Sequence, residues 1–292
     1  MKLMTASRSS TGFTLIELSI VVLVLALLAT AALRYANSQS EAKAIAATNA
    51  TLDVVDAAIY NYQNNNTRLP CPADITQAEN TAAFGTEVDS LADGLCTGYN
   101  FINSGTDPDG PGGSNPYAPD PLDDPATENQ VVEGSIPTKA LHIADKYAYD
   151  GWGNKIFYAV DKRMTASGAY TTYLVGNVTI GAIVVRKDWQ DPLSLALTYK
   201  GIYALFSAGK NGHGAYARNM TGSASRINAG SSNMNELVNC HCTTTGVSSG
   251  NVITRIFIQN TKNNDYSNYS DNFDDIVRFK IRGNVLYNGD LQ

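Results

Sequence analysis

The sequence predicts an α+β fold: one long N-terminal α-helix packed on an antiparallel β-sheet head domain. Three observations carry this reading. Phe13–Leu33, FTLIELSIVVLVLALLATAAL, is a 21-residue apolar run whose one charged residue is Glu17. Ser38–Gln63 then continues without a glycine or proline and with a helical apolar stripe. From Lys155 onward, short segments rich in Val, Ile, Tyr and Phe alternate with Gly, Asn, Asp and Ser, the pattern of strands and turns.

The apolar run comes first. At 1.5 Å per residue it spans roughly 31 Å, the hydrocarbon thickness of a bilayer. Ahead of it, MKLMTASRSSTG is polar and small, with Lys2 and Arg8 its only charges. A secretory signal peptide is the plain alternative, but this run is longer than a signal core of about 7–15 residues and carries a carboxylate. An ionised carboxylate costs about 2.5–3.5 kcal/mol at the centre of a span and less near the interface, so Glu17 needs a partner. Nothing within the run is cationic. The candidate is the amine created if the chain is cut before Phe13. That amine cannot fold back four residues along a continuous helix to its own Glu17, so a neighbouring subunit has to supply it.

The helix continues beyond Arg34. Ile45, Leu52, Val55, Ile59 and Tyr62 fall at spacings of 7, 3, 4 and 3, one face of a helix that docks on a soluble domain. Lys43, Asn49, Asp53 and Asp56 occupy the other faces. The helix is expected to end at Asn64–Asn66, ahead of Pro70. From Phe13 it would measure roughly 75–80 Å. The organisation read from the sequence is a leader at 1–12, a membrane half of the helix at 13–34, an amphipathic half at 35–66 and a head domain at 67–292.

Leu69–Pro137 reads as irregular. Seven of the ten prolines lie between Pro108 and Pro137, and 103–137 is expected to be an exposed loop. Strands are expected at Lys155–Val160, Thr171–Val175, Val178–Val185, Ile202–Phe206, Val252–Ile258 and Ile276–Ile281. Arg282-Gly283-Asn284 is expected to turn a last hairpin into Val285–Tyr287. No helical pattern of 10–15 residues alternates with these segments, which favours antiparallel pairing.

Composition excludes several functions. The 43% hydrophobic and 16% charged content is that of a folded chain rather than a disordered one. With 21 Lys and Arg against 27 Asp and Glu, net charge −6, no basic footprint for nucleic acid is present. Losing Lys2 and Arg8 with the leader leaves 19 basic residues and moves the net charge from −6 to −8.

Gly12-Phe13-Thr14-Leu15-Ile16-Glu17-Leu18 resembles the processing site of type IV prepilins and type II secretion pseudopilins. The strict motif covers about 25 residues and the long helix extends the likeness to about 50. The resemblance implies a pilin-like fold and cleavage by a prepilin peptidase between Gly12 and Phe13, with N-methylation of Phe13. It implies that Glu17 neutralises a neighbour's amine during assembly. The implied partners are the membrane, an inner-membrane assembly platform and other pilin or pseudopilin subunits. The implied location is a single-pass anchor in the cytoplasmic membrane with the head in the periplasm or outside, followed by a pilus or pseudopilus. An adhesive or priming minor pilin is a second reading, favoured by the length of the head and the Pro/Asp-rich loop.

The resemblance also places the head where disulfides persist. Cys71, Cys96, Cys240 and Cys242 allow three pairings. Cys71 with Cys96 would close an irregular segment; Cys240 with Cys242 would form a very small ring; crossed pairs stay open. Cys240-His241-Cys242 is also half of a zinc site, without two further ligands at suitable spacing. Asp150-Gly151-Trp152-Gly153-Asn154 is similar to a segment of major pseudopilins. So is Ser207–Gly212 followed by Asp274-Asp275-Ile276, a region that binds calcium in those proteins. By that resemblance Ser207, Asp271, Asp274 and Asp275 are candidate calcium ligands, although about 60 residues separate Gly212 from Asp271 where the pseudopilins have a short loop. No other cofactor is indicated. Gly246-Val-Ser248-Ser-Gly250 fits G-x-S-x-G, but no histidine lies downstream and a strand rather than a helix follows. The chain is therefore expected not to be an enzyme, with a membrane-anchored hydrolase as the distant alternative.

Overall fold

The computed structural model describes residues 14–88, 96, 100–101, 131–169, 181–192, 195–218, 226–245, 256–263 and 272–281. Helix α1 runs Leu15–Asn66, 52 residues, without a break. It ends as expected: Thr67 takes a left-handed φ of 54° and its N–H closes on the Gln63 carbonyl at 2.8 Å, the αL termination that releases the chain toward Pro70. The chain divides into two compact units, Met1–Lys43 and Ala44–Gln292.

In the second unit, the buried positions of α1 are Thr48, Leu52, Val55, Ala58, Ile59 and Gln63. This is the predicted stripe, shifted so that Thr48 rather than Ile45 opens it. The strands are β1 (Asn100–Phe101), β2 (Val131–Ser135), β3 (Phe157–Asp161), β4 (Ile183–Arg186), β5 (Thr198–Ser207), β6 (Ile256–Ile258) and β7 (Ile276–Ile281). A short helix, α2, spans Met234–Asn239. The seven strands form one sheet in the order β1-β2-β3-β5-β4-β6, with β7 also on β5.

Two expectations need correction. The sheet is mixed rather than antiparallel, because β4 and β6 pair in parallel from Val184↔Ile256 to Arg186↔Ile258. And 131–137, expected within the loop, begins with strand β2, paired along its whole length with β3. Its sequence, VVEGS, hides this: all five residues are buried, including Glu133, so no polar-apolar alternation marks it. The expected strand at 171–175, the starts of those at 178–185 and 252–258, most of the loop at 103–137 and the hairpin at 282–287 lie outside the described residues.

Both faces of the sheet are covered, which explains its near-continuous apolar runs. Tyr158, Val160, Tyr203 and Leu205 join Leu52, Val55 and Ile59 of α1 in one core cluster. The alternate residues Phe157, Ala159, Ala204 and Phe206 pack with Phe257, Tyr216, Leu237 and Cys240 in a second. On the helix side, Arg278 of β7 pairs with Asp53, and Lys280 approaches Asp56 at 3.6 Å. The Tyr203 hydroxyl donates to Asp56 Oδ1 at 3.1 Å.

The Asp150–Asn154 segment is the loop that docks the helix. The Gly151 N–H donates to Thr48 Oγ1 at 2.8 Å. A Cβ on Gly151 would lie 2.1 Å from the Ala44 carbonyl oxygen, so only glycine lets the loop come this close. Asp150 fastens the turn: Oδ1 accepts the N–H of Trp152 at 3.0 Å and of Asn154 at 2.9 Å, and Oδ2 accepts the Ser207 hydroxyl at 2.7 Å.

Candidate functional site

Two places concentrate functional chemistry. One is a buried acidic group between α2 and the start of β7. Glu236, Asp274 and Asp275 bring one ligand oxygen each within 4.8 Å of one another, and all three are buried. The Asn211 side chain donates to both Glu236 oxygens at 3.0 and 2.9 Å, and its N–H donates to Asp274 Oδ2 at 3.0 Å. Asn239 Nδ2 donates to Asp275 Oδ2 at 2.9 Å. Burial, helped by the negative charge of Asp274, pushes Glu236 up to about 7. Burial and then the charges of Glu236 and Asp274 push Asp275 far above the usual carboxylate range. The donor set is all oxygen, which suits a hard cation, but calcium takes six to eight oxygens and the three carboxylates supply only part of that shell.

The four calcium candidates are not brought together as expected. Asp274 and Asp275 sit in this group. Ser207 is committed to Asp150, and Asp271 lies outside the described residues. Glu236 takes the third position. It comes from a helix about 40 residues upstream and no local signal in the sequence points to it.

The other place is the start of α1. Thr14 and Glu17 form a reciprocal cap: the Thr14 N–H and hydroxyl both donate to Glu17 Oε2 at 2.9 Å, and the Glu17 N–H donates to Thr14 Oγ1 at 3.3 Å. This is a capping box, which satisfies donors at a helix start that have no intrahelical partner. Its signature, Thr-x-x-Glu ahead of an apolar run, was readable in the sequence. Beyond it the helix surface is apolar and exposed: Leu15 at 89%, Ile16 at 69%, Leu25 at 58% and Leu33 at 64%. Among the described residues this is the one helix long and apolar enough to cross a membrane. Gly12 and Phe13 lie outside the described residues.

Compared with known families, residues 7–33 match the prokaryotic N-terminal methylation motif. That stretch is the type IV prepilin and pseudopilin signal. With the long helix on its sheet, the chain has a pilin-like α+β arrangement. No curated protein matches the chain, and no solved structure does. The match covers residues 7–33, the apolar half of α1 and the residues just before it, and does not extend to the sheet.

In that head the cysteines pair locally, Cys71 with Cys96 and Cys240 with Cys242. The second bond removes both thiolates that a Cys-His-Cys zinc half-site would need. His241, between them, instead places Nδ1 2.8 Å from Glu133 Oε2, a buried pair that sequence reasoning missed because Glu133 sat in a segment read as loop. Ser248 lies outside the described residues.

Proposed function

We propose that this chain is a type IV pilin-like or pseudopilin subunit, a structural protein rather than an enzyme. A prepilin peptidase cleaves it between Gly12 and Phe13 and Phe13 is N-methylated. The subunit, held in the cytoplasmic membrane by 13–34 with its head on the far side, is then taken by an assembly platform into a fibre with other subunits. The observation that carries the reading is the methylation motif at residues 7–33, continued by a helix whose apolar surface is exposed. Such a surface suits lipid first and bundled helices later. Because lipid is as apolar as a helix bundle, the transfer is driven by packing and by the pairing of Glu17, not by simple hydrophobicity. Head-to-tail contacts that do not close give a filament.

The experiment is mass spectrometry of the N-terminus in cells with and without the peptidase. Wild-type chain is expected to begin at a methylated Phe13, and Gly12→Val to keep the leader. A mature-sized product from Gly12→Val would refute the assigned cleavage site.

Calcium at Glu236, Asp274 and Asp275 belongs to the same reading. A bound divalent cation would neutralise three crowded carboxylates, so calcium is expected to raise the melting temperature of the wild type and not of Glu236→Gln. An equal shift in both would remove this group as the site.

A further inference from the structure

The segment 233–242, α2 with its flanks, is a polar hub inside the head. Asn235 accepts the Trp189 N–H at 2.8 Å and donates to Asp188 at 3.0 Å, holding the turn after β4. Glu236 accepts from Asn211, in the loop after β5. Asn239 grips the backbone of Ile258 in β6 from both sides, accepting its N–H at 2.6 Å and donating to its carbonyl at 3.0 Å. His241 meets Glu133 of β2. A six-residue helix does not stand alone in water, so these side-chain bonds and the bond that closes its end hold it in place.

That closing bond is Cys240–Cys242, with a sequence separation of 2. A ring this small removes little entropy from the unfolded chain, so it adds little to global stability, unlike a bond across a long loop. Its effect is local. It spans His241, which sits at a left-handed φ of 48°, unusual for a residue with a Cβ. The surroundings are shaped around the sulfurs: a Cβ on Gly214 would lie 2.5 Å from Cys242 Sγ and 2.8 Å from Cys240 Sγ. Arg226 donates to the Cys240 carbonyl at 2.7 Å. All four cysteines are buried, but in different places: Cys71 and Cys96 belong to the core between α1 and the sheet, Cys240 and Cys242 to the cluster on the opposite face, so the two bonds are reached by opening different parts of the head.

We propose that Cys240–Cys242 is a redox latch on the hub. Oxidised, it fixes His241 against Glu133 and closes the end of α2. Reduced, it lets 233–242 open while the helix–sheet core stays folded. The opening step is thiol–disulfide exchange with an external dithiol: its thiolate attacks one sulfur, the S–S bond breaks, and its second thiolate resolves the mixed disulfide. Two electrons and two protons pass to the protein, leaving two cysteine thiols and an oxidised reagent. Exchange proceeds through local opening of the hub and not through global unfolding.

The test is a dithiothreitol titration of the full chain in detergent, with alkylation mapped by mass spectrometry and amide hydrogen exchange read in parallel. Cys240 and Cys242 are expected to become alkylated at a dithiol concentration at least about tenfold below that needed for Cys71 and Cys96. Exchange across 233–242 and 256–258 should rise at least about tenfold at that point, with 44–66 and 198–207 unchanged. Reduction of both disulfides together, or unchanged protection of 233–242 after selective reduction, would overturn the latch. Cys240→Ser/Cys242→Ser is expected to reproduce the local loss of protection without dithiol. A double variant that keeps wild-type protection across the hub would equally overturn it.

Discussion

Asp150 is buried, accepts two backbone N–H groups and one hydroxyl, and faces no cation in its turn. Burial outweighs those bonds and pushes its carboxyl up to about 6. A folded-state value above the unfolded one means that the folded chain holds the proton more tightly. The contribution to stability is therefore full below the ordinary carboxylate range near 4 and is lost as pH rises through 6, a swing on the order of 3 kcal/mol. Asparagine can keep every bond, its oxygen accepting from Trp152 and Asn154 and its amide donating to Ser207. Asp150→Asn is thus expected to be at least as stable as wild type at pH 7, with the difference closing toward pH 4. Denaturant midpoints measured across that range decide it; parallel pH curves for the two proteins would show that Asp150 is not the titrating group. The turn itself was legible as a motif, but its task was not. That Gly151 must meet Ala44 depends on the approach of two segments about 100 residues apart.

Among the elements, the disulfides do different work. Cys71–Cys96 has a sequence separation of 25, and a loop of that size restricts the unfolded chain by about 3–4 kcal/mol, against about 1–2 kcal/mol for a ring of three residues. Cys71→Ser/Cys96→Ser should therefore lower the denaturant midpoint clearly more than Cys240→Ser/Cys242→Ser, with both variants compared in detergent at one pH. Equal losses would mean that native-state contacts, not loop closure, set the cost. The elements also differ in how well the sequence announced them. β7 lies at Ile276–Ile281 as read, and α1 ends within the predicted asparagines, because local patterns and turn residues bound both. β5 extends the predicted Ile202–Phe206 back to Thr198, since pairing with β4 recruits residues of mixed polarity. β2 was missed because burial on both faces erases alternation. The parallel pairing of β4 and β6 leaves no local mark, and Glu236 joins Asp274 and Asp275 only through that tertiary arrangement.

At the scale of the whole molecule, the head folds on the C-terminal half of α1, while the N-terminal half leaves its apolar surface exposed, the surface that in the proposed function meets lipid and then other helices. Glu17 is the single charge in that surface. Thr14 directs both its N–H and its hydroxyl to Glu17 Oε2, which partly solvates the carboxylate without neutralising it. A carboxylate so placed still carries the cost of an unpaired charge in lipid. In the proposed function that cost becomes a driving term for assembly, because pairing with the amine of an incoming subunit relieves it. Replacing the carboxylate removes the charge and the pairing together. Glu17→Val should therefore insert in the membrane and be cleaved after Gly12, since the helix becomes more apolar and the scissile bond is untouched. Sheared fibres should fall at least about tenfold, because the neighbour's amine is left without a partner in an apolar core. Immunoblots of membrane and sheared fractions separate the two steps. Processed subunit retained in the membrane is the expected pattern, and a wild-type yield of fibres would rule out the pairing role.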